Sequence, residues 1–222
     1  GGKYEEIKNA TKAGVDIKTD VTNDSDTEAT GVSVKSTVYN KEGDVVSTQT
    51  DDITVAAGKT ETISQSVDVA NPKLWSVDSP NLYWVRTEII QNGKVVDSSD
   101  SRFGIRYIAT DPNSGFYLNG VHTKLNGVCE HSDLGSLGME TYQAAVDRRI
   151  RTLKKYGVNA IRTSHNPVSP EFIEACDRLG MLVFEEAFDQ WLYSKNSDDY
   201  HNYFNKAADG KTGGDTGKDT GI

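Results

Sequence analysis

The residues with the most chemical capacity fall into three short clusters in the second half of the chain. The first is Glu130, His131, Ser132 and Asp133; the second is Arg162, Thr163, Ser164, His165 and Asn166; the third is Glu185, Glu186, Asp189 and Trp191. Each follows a run that reads as a buried strand: Thr123-Lys-Leu125-Asn-Gly-Val128-Cys129, Val158-Asn-Ala-Ile161 and Met181-Leu-Val-Phe184. Carboxylates, imidazoles, a guanidinium and an indole delivered at successive strand ends supply proton transfer, hydrogen bonds to hydroxyl groups and a stacking surface. A lone His could equally cap a loop, Arg162 could pair with Glu185 or Glu186 within the sheet, and Trp191 could cover a core. Three matched ends together favour the rim of a pocket, because parallel α/β sheets gather active residues at their carboxyl edge. The set is incomplete. Glu185 and Glu186 are neighbours, so on a strand they point to opposite faces and cannot act as a facing acid and nucleophile. No G-x-S-x-G, phosphate-cradling glycine loop or H-E-x-x-H motif accompanies them.

The elements that must position these clusters are written in two styles. Residues 1–108 alternate apolar and polar with period two, in Val15–Val21, Val32–Tyr39, Ile53–Val55, Thr62–Val69, Tyr83–Ile89 and Val95-Val96. Turn residues separate them, with Asn92-Gly93 the strongest hairpin signal because both positions tolerate positive φ. About seven short strands without a helical period predict an immunoglobulin-like β-sandwich, with Trp75 and Trp84 as packing anchors and no inter-sheet disulfide. From about Tyr107 the period changes. Tyr142, Val146, Ile150 and Leu153 share a helical face, and cations cluster toward the end, where Gly157 can cap. Ser169 as N-cap, Pro170 at the first helical position and Gly180 as the stop frame a second helix, with Phe172, Ile173, Cys176 and Leu179 on its apolar face. Strand–helix–strand–helix–strand with short connections predicts parallel strands. Residues 207–222 are mostly Gly, Thr, Asp and Lys with almost nothing to enter a core, and read as a flexible tail. Its aspartates lack the spacing of a calcium loop.

Composition excludes several classes. The 222 residues carry a formal net charge of -9, and the absence of a concentrated basic face argues against a nucleic-acid partner. No run approaches the length of a membrane span, so the expectation is a soluble chain without a visible signal peptide, bacterial-type cytoplasmic or secreted. The Gly1-Gly2 start reads as a cut end. Cys129 and Cys176 have no metal-ligand spacing, and their apolar neighbours predict two buried thiols.

Seven motifs together resemble glycoside hydrolase family 2, with the β-galactosidase-like members nearest: Phe103-Gly-Ile-Arg106, Gly115-Phe-Tyr-Leu-Asn-Gly120, Lys124-Leu-Asn-Gly-Val128-Cys129, His131-Ser-Asp-Leu-Gly135-Ser-Leu-Gly138, Asn159-Ala-Ile-Arg-Thr-Ser-His-Asn-Pro167, Cys176-Asp-Arg-Leu-Gly180 and Glu186-Ala-Phe-Asp-Gln-Trp191. The resemblance implies an immunoglobulin-like sandwich (1–108) followed by the first three βα units of a (β/α)8 TIM barrel (109–206). It also implies a retaining β-glycosidase that uses two carboxylates, one as acid/base and one as nucleophile. By motif, Arg162 corresponds to an arginine supporting the nucleophile, and His131 and His165 to ligands of sugar hydroxyls. Asn166, Glu186, Asp189 and Trp191 fall where members shape the same subsite, and Ser132 replaces a His often found there. The family's acid/base follows an Asn-Glu pair, and this sequence has none. The chain is therefore expected to carry pocket residues but neither catalytic carboxylate. The implied partners are a carbohydrate substrate and either a second copy or the remaining barrel. No cofactor is implied, and a divalent cation in the parent enzyme stays open. The alternative is a non-catalytic carbohydrate-binding or scaffold module.

Overall fold

A computed structural model of the chain describes residues 10–130, 140–164, 169–186 and 202–207. The first half is built from β1 (Lys12–Thr22), β2 (Ala29–Tyr39), β3 (Val45–Val55), β4 (Thr60–Ala70), β5 (Tyr83–Gln91) and β6 (Lys94–Phe103). β1 and β4 pair antiparallel in one sheet, and the other has the order β3-β2-β5-β6. Alternation decides which side chains turn inward: β1 buries Ala13, Val15, Ile17, Thr19 and Val21 and leaves the residues between them partly or fully exposed. Between the sheets, Val15, Ile17, Val67 and Val69 join Val38, Tyr83, Val85 and Phe103 in one cluster. At the other end Val21, Val32, Val34, Val55 and Ile89 form a second. Asn92 and Gly93 both take positive φ (52° and 79°) and close the β5–β6 hairpin, as the sequence predicts.

A buried polar group stands among these sandwich strands. Ser36 Oγ donates to Gln65 Oε1 (2.7 Å) and lies 3.3 Å from Thr87 Oγ1. The Gln65 amide donates to the Val34 carbonyl (2.9 Å) and to Asp51 (3.1 Å). Each buried group has its partner, which makes the layer a register pin rather than a defect. Residues 1–108 supply six of the sandwich strands, longer than expected at 9–11 residues, and residues 202–207 add a seventh beside β1. The expected Ile53–Val55 is the end of β3, whose earlier residues Ser47-Thr-Gln-Thr-Asp-Asp52 carry no apolar alternation to announce a strand.

Between the halves lies a small antiparallel sheet that the sequence reading did not foresee. It comprises β7 (Ile108–Asp111), β8 (Gly115–Leu118) and β9 (Val121–His122), with the Asn119-Gly120 turn joining the last two. Then come β10 (Gly127–Glu130), α1 (Tyr142–Lys155), β11 (Ala160–Ser164), α2 (Pro170–Leu179) and β12 (Leu182–Glu186), with the three strands parallel in the order β10-β11-β12. A further strand, β13 (Asn202–Ala207), lies parallel to β1. The helix boundaries follow local chemistry. Thr141 Oγ1 accepts the Ala144 N–H, Ser169 Oγ accepts the Phe172 N–H with Pro170 behind it, and Gly180 ends α2 with φ 87°. Val146, Ile150 and Leu153 of α1 and Phe172, Ala175 and Cys176 of α2 pack on Ile161, Val128 and Val183.

Cys176 is buried as expected, but Cys129 is exposed. Val128 takes the row that meets the helices, so its neighbour Cys129 turns to the opposite face. The expected strand from Thr123 also begins later, at Gly127. Asn159 explains the delay. Its side chain accepts the Asn126 N–H (2.8 Å) and donates to the Lys124 carbonyl (2.8 Å), which draws this stretch into a loop bracketed at the start of β11.

The two halves meet around Trp75, which is fully buried. Its indole N–H donates to the Asp177 carbonyl (2.6 Å), and the Arg106 guanidinium lies 4.4 Å from the ring centroid. Arg106 Nη1 is 3.1 Å from Asp177 Oδ1, and both side chains are more than nine-tenths buried. The backbone packs equally closely. A Cβ on Gly104 would lie 2.7 Å from the Trp75 ring, and one on Gly180 would collide with the Val77 carbonyl. Lys154 Nζ donates to the Val77 (2.9 Å) and Leu179 (2.6 Å) carbonyls, tying the sandwich linker to the end of α2. Burial holds its ammonium below the usual lysine range. Arg102 and Glu174 add an ion pair at the edge of the contact.

Two substitutions test this framework. Gln65→Ala takes away the closer partner of the Ser36 hydroxyl, leaving the longer Thr87 contact, and the amide donor to the Val34 carbonyl, and a loss of about 1–3 kcal/mol is expected in denaturant titration. Arg106→Ala leaves Asp177 buried without its Arg106 partner, with an expected cost of about 3–5 kcal/mol. It should shift the near-ultraviolet signal of Trp75 to lower denaturant, and an unchanged midpoint would contradict the role given to the pair.

Candidate functional site

The parallel sheet has two unlike faces. Val128, Ile161 and Val183 pair across the strands and belong to the helix-side core. One residue away in each strand, Cys129, Arg162 and Phe184 pair across the opposite, inner face, above Gly127, Ala160 and Leu182. At the amino ends this inner face is filled. Ala160, Leu182 and Phe184 pack against Ile108, Phe116 and Leu118 of the β7–β8 hairpin and against Trp75. Phe116 meets Phe184 edge to face at 5.7 Å. The hairpin is therefore a plug at one end of the inner face, and Arg162 is the next residue along β11 on that face.

Toward the carboxyl ends, Ser164 pairs across to Glu186. Of the expected site residues, the structure thus brings Arg162 and Glu186 onto adjacent paired strands at one edge. Arg162 is partly buried. His131, His165, Asn166, Asp189 and Trp191 lie outside the described residues. Among the described residues no three His, Cys, Asp or Glu side chains converge as a metal site would require. The Cys176 thiol is not a nucleophile in waiting: burial pushes it well above the ordinary range, with the neighbouring Asp177 charge adding to it. A cleft of about 640 Å³ lies at the other end, between Leu74–Asp78, the β8–β9 hairpin and the start of β11, away from the rim.

The residues that sequence reasoning missed are those that set the floor: Phe116 and Leu118 in the plug, and Asn119. The Asn119 carboxamide donates to the Trp75 carbonyl (2.7 Å) and accepts the Tyr107 N–H (2.8 Å). The Asn119-Gly120 pair carried the same hairpin signal as Asn92-Gly93 and could have revealed them.

Helix placement behind the rim depends on one carboxylate. Asp147 of α1 receives two bonds from Arg178 of α2 (2.7 and 2.8 Å) and one from Gln143 (2.9 Å). Burial alone would raise its carboxyl. The Arg178 and Gln143 hydrogen bonds, with the charges of Arg178 and Arg151, outweigh that and hold it below the usual aspartate range.

A sandwich leading into parallel βα units, with a plugged amino end and polar residues at the carboxyl ends, is the layout that the sequence motifs imply. Comparison with known proteins agrees. Residues 3–106 match the model for glycosyl hydrolases family 2, and residues 110–212 match the model for the TIM barrel domain of the same family. This chain belongs to glycosyl hydrolases family 2. It is 40% identical over 195 residues to β-galactosidase BoGH2A of Bacteroides ovatus, covering 88% of this chain and 23% of that protein. It is 43% identical over 137 residues to a putative β-glucuronidase of Formosa agariphila, covering 62% and 13%. Among solved structures, a family 2 member from Bacteroides cellulosilyticus aligns with a TM-score of 0.69 at 37% identity, covering 81% of this chain and 24% of that one. A β-glucuronidase from Bacteroides uniformis aligns with a TM-score of 0.71 at 32% identity, covering 79% and 21%. The chain thus spans about a quarter or less of the length of these relatives.

Because its folded carboxyl sits below the ordinary value of 3.8, Asp147 contributes stability that is fully present above that value and is lost as pH falls from it through the depressed folded pKa. Asp147→Asn should therefore be less stable than the parent chain at neutral pH, and the gap should narrow progressively below about pH 4. Thermal midpoints across that range check it, and a gap independent of pH would refute it.

Proposed function

We propose that this chain contributes the sugar-facing rim of a retaining β-glycosidase, with β-galactosides as the preferred substrates. The observation that carries the reading is the place of Arg162: on the inner face of the parallel sheet, beyond the hairpin plug and toward the carboxyl ends. A guanidinium there supplies fixed positive potential to a carboxylate nucleophile without taking part in bond making. His131, His165 and Asn166 follow the first two strands and hold sugar hydroxyls. Glu186, Asp189 and Trp191 follow the third and shape the same subsite. Trp191 offers an apolar face to the C–H side of a pyranose.

The two reacting carboxylates, about 5–5.5 Å apart in a retaining enzyme, come from sequence beyond these residues. One protonates the leaving oxygen while the other attacks the anomeric carbon. The first then activates water to release the sugar. This chain's part is to bind, orient and bias the charge of that pair. The galactoside preference is supported by the extent of the likeness, since the relative matched over 88% of the chain is named a β-galactosidase. β-Glucuronidases are matched as well, at 43% identity over 62% of the chain and, in the Bacteroides uniformis structure, at 32% identity over 79%.

The test is a chimera in which this chain replaces the matching segment of the Bacteroides ovatus β-galactosidase, assayed on aryl β-galactoside and aryl β-glucuronide. Preferential galactoside turnover is expected, with kcat reduced by about 100-fold or more in Arg162→Ala. Preferential glucuronide turnover, or an Arg162→Ala chimera as active as its parent, would overturn the reading. By itself the chain should not hydrolyse either substrate, and turnover that survives Glu185→Gln with Glu186→Gln would be equally fatal.

A further inference from the structure

The outer face of the larger sandwich sheet carries a feature that the barrel rim does not use. Trp75 is fully buried, whereas Trp84 of β5 keeps 41% of its surface exposed. An indole ring held in solvent sacrifices the burial that usually places it in a core, so its surroundings bear on what it does there. Its cross-strand neighbour on β6 is Arg102. The guanidinium of Arg102 lies 4.9 Å from the ring centroid and is held on its far side by Glu174 of α2. Ring and guanidinium are fixed in this way by two separate elements. They line a cleft of about 550 Å³ between the sandwich and the helices, completed by Asp100, Gln143 and Glu171. That volume is in the range of small-molecule sites, about 300–1,000 Å³.

We propose that this cleft is a second carbohydrate site, taking a neutral mono- or disaccharide unit with one pyranose ring on Trp84. The inference rests on the reading above only for the class of ligand. A pyranose presents an apolar C–H face and an edge of hydroxyl groups. An indole covers the first, and planar carboxylate, carboxamide and guanidinium groups bond the second in pairs. Arg102 and Arg178 both pair with Glu174, and Asp100 pairs with Arg86 at 2.8 Å, while Glu171 adds a further carboxylate to the cleft. Gln143 donates to Asp147 (2.9 Å). A neutral ligand gains hydrogen bonds to such groups without breaking these pairs. A uronate would bring a carboxylate against Glu171 and Glu174, where like charge costs binding. The cleft lies along the outer side of α2, and Arg162 lies on the sheet face turned away from the helices. The two sites are therefore separable.

Titration of the full chain with methyl β-galactopyranoside, lactose and methyl β-glucuronide, followed by indole fluorescence and NMR shifts, decides the matter. Saturable binding of the neutral glycosides is expected, weaker by about fivefold or more in Trp84→Ala. Trp84→Phe should recover part of the affinity, and unchanged thermal midpoints in both variants would show that the fold is kept. The glucuronide should bind more weakly than its neutral counterpart. Absence of saturable neutral-sugar binding, or equal affinity for the glucuronide, overturns the proposal. Binding that persists in Trp84→Ala and disappears in Arg162→Ala also overturns it and places the sugar at the rim instead. Trp84-dependent binding alongside an inactive chimera would support the second site and count only against the glycosidase reading.

Discussion

The Arg106–Asp177 pair and the Trp75 ring wedged beside it decide where the second half of the chain sits. Taking a guanidinium and a carboxylate out of water is costly, and here the cost is offset by a direct bond, by the indole face under Arg106 and by the tight backbone around Gly104 and Gly180. Such a node has little tolerance for sliding. A displacement of about an ångström would break the charge pair and open a void at Trp75, so the contact behaves as a locating pin. Everything on the barrel side inherits its position from there, including the α2 helix that carries Asp177 and the β12 strand that follows it.

From that pin the site is built outward in two directions. On one face of the parallel sheet the helices supply an apolar layer through Val146, Ile150, Phe172 and Cys176. On the other, the β7–β8 hairpin fills the amino ends through Phe116 and Leu118. What is left for chemistry is the carboxyl end of the inner face, and Arg162 and Glu186 fall on the two strands that meet there. The rim therefore stands on packed side chains on both sides, the arrangement that preorganised electrostatics requires. Asp147 and Arg178 lock the two helices together behind it.

Much of this was legible in the residues. Alternation marked most sandwich strands, and Ser169-Pro170 with Gly180 framed α2 to the residue, because caps and prolines act locally. The placement of polar groups after apolar runs pointed to the carboxyl ends of the three strands, where the structure puts Arg162 and Glu186 on adjacent paired strands. What escaped had non-local causes. The polar part of β3 gains its strand from pairing with β2 and not from its own pattern, and Cys129 is exposed because its neighbour Val128 claims the covered face. Gln65 looks like a solvent-facing residue until Ser36 and Val34 come to meet it from another strand. The Trp75–Asp177 contact spans 102 residues of sequence, and no local spacing rule reaches so far. The rim residues His131, His165, Asn166, Asp189 and Trp191 lie outside the described residues, so for them the motifs remain the whole argument.

The junction between the halves is read largely through main-chain oxygen. Trp75 bonds the carbonyl of Asp177, Asn119 bonds the carbonyl of Trp75, and Lys154 bonds those of Val77 and Leu179. Every residue type offers the same carbonyl, so the accepting positions can change identity without loss of the bond, provided the backbone keeps its path. Only a few donor side chains, the Asp177 carboxylate and two glycines need to persist for the halves to dock in the same pose. A joint of this kind lets the surrounding surface diversify while the angle between the domains stays fixed. One scaffold can then present different loops to different sugars.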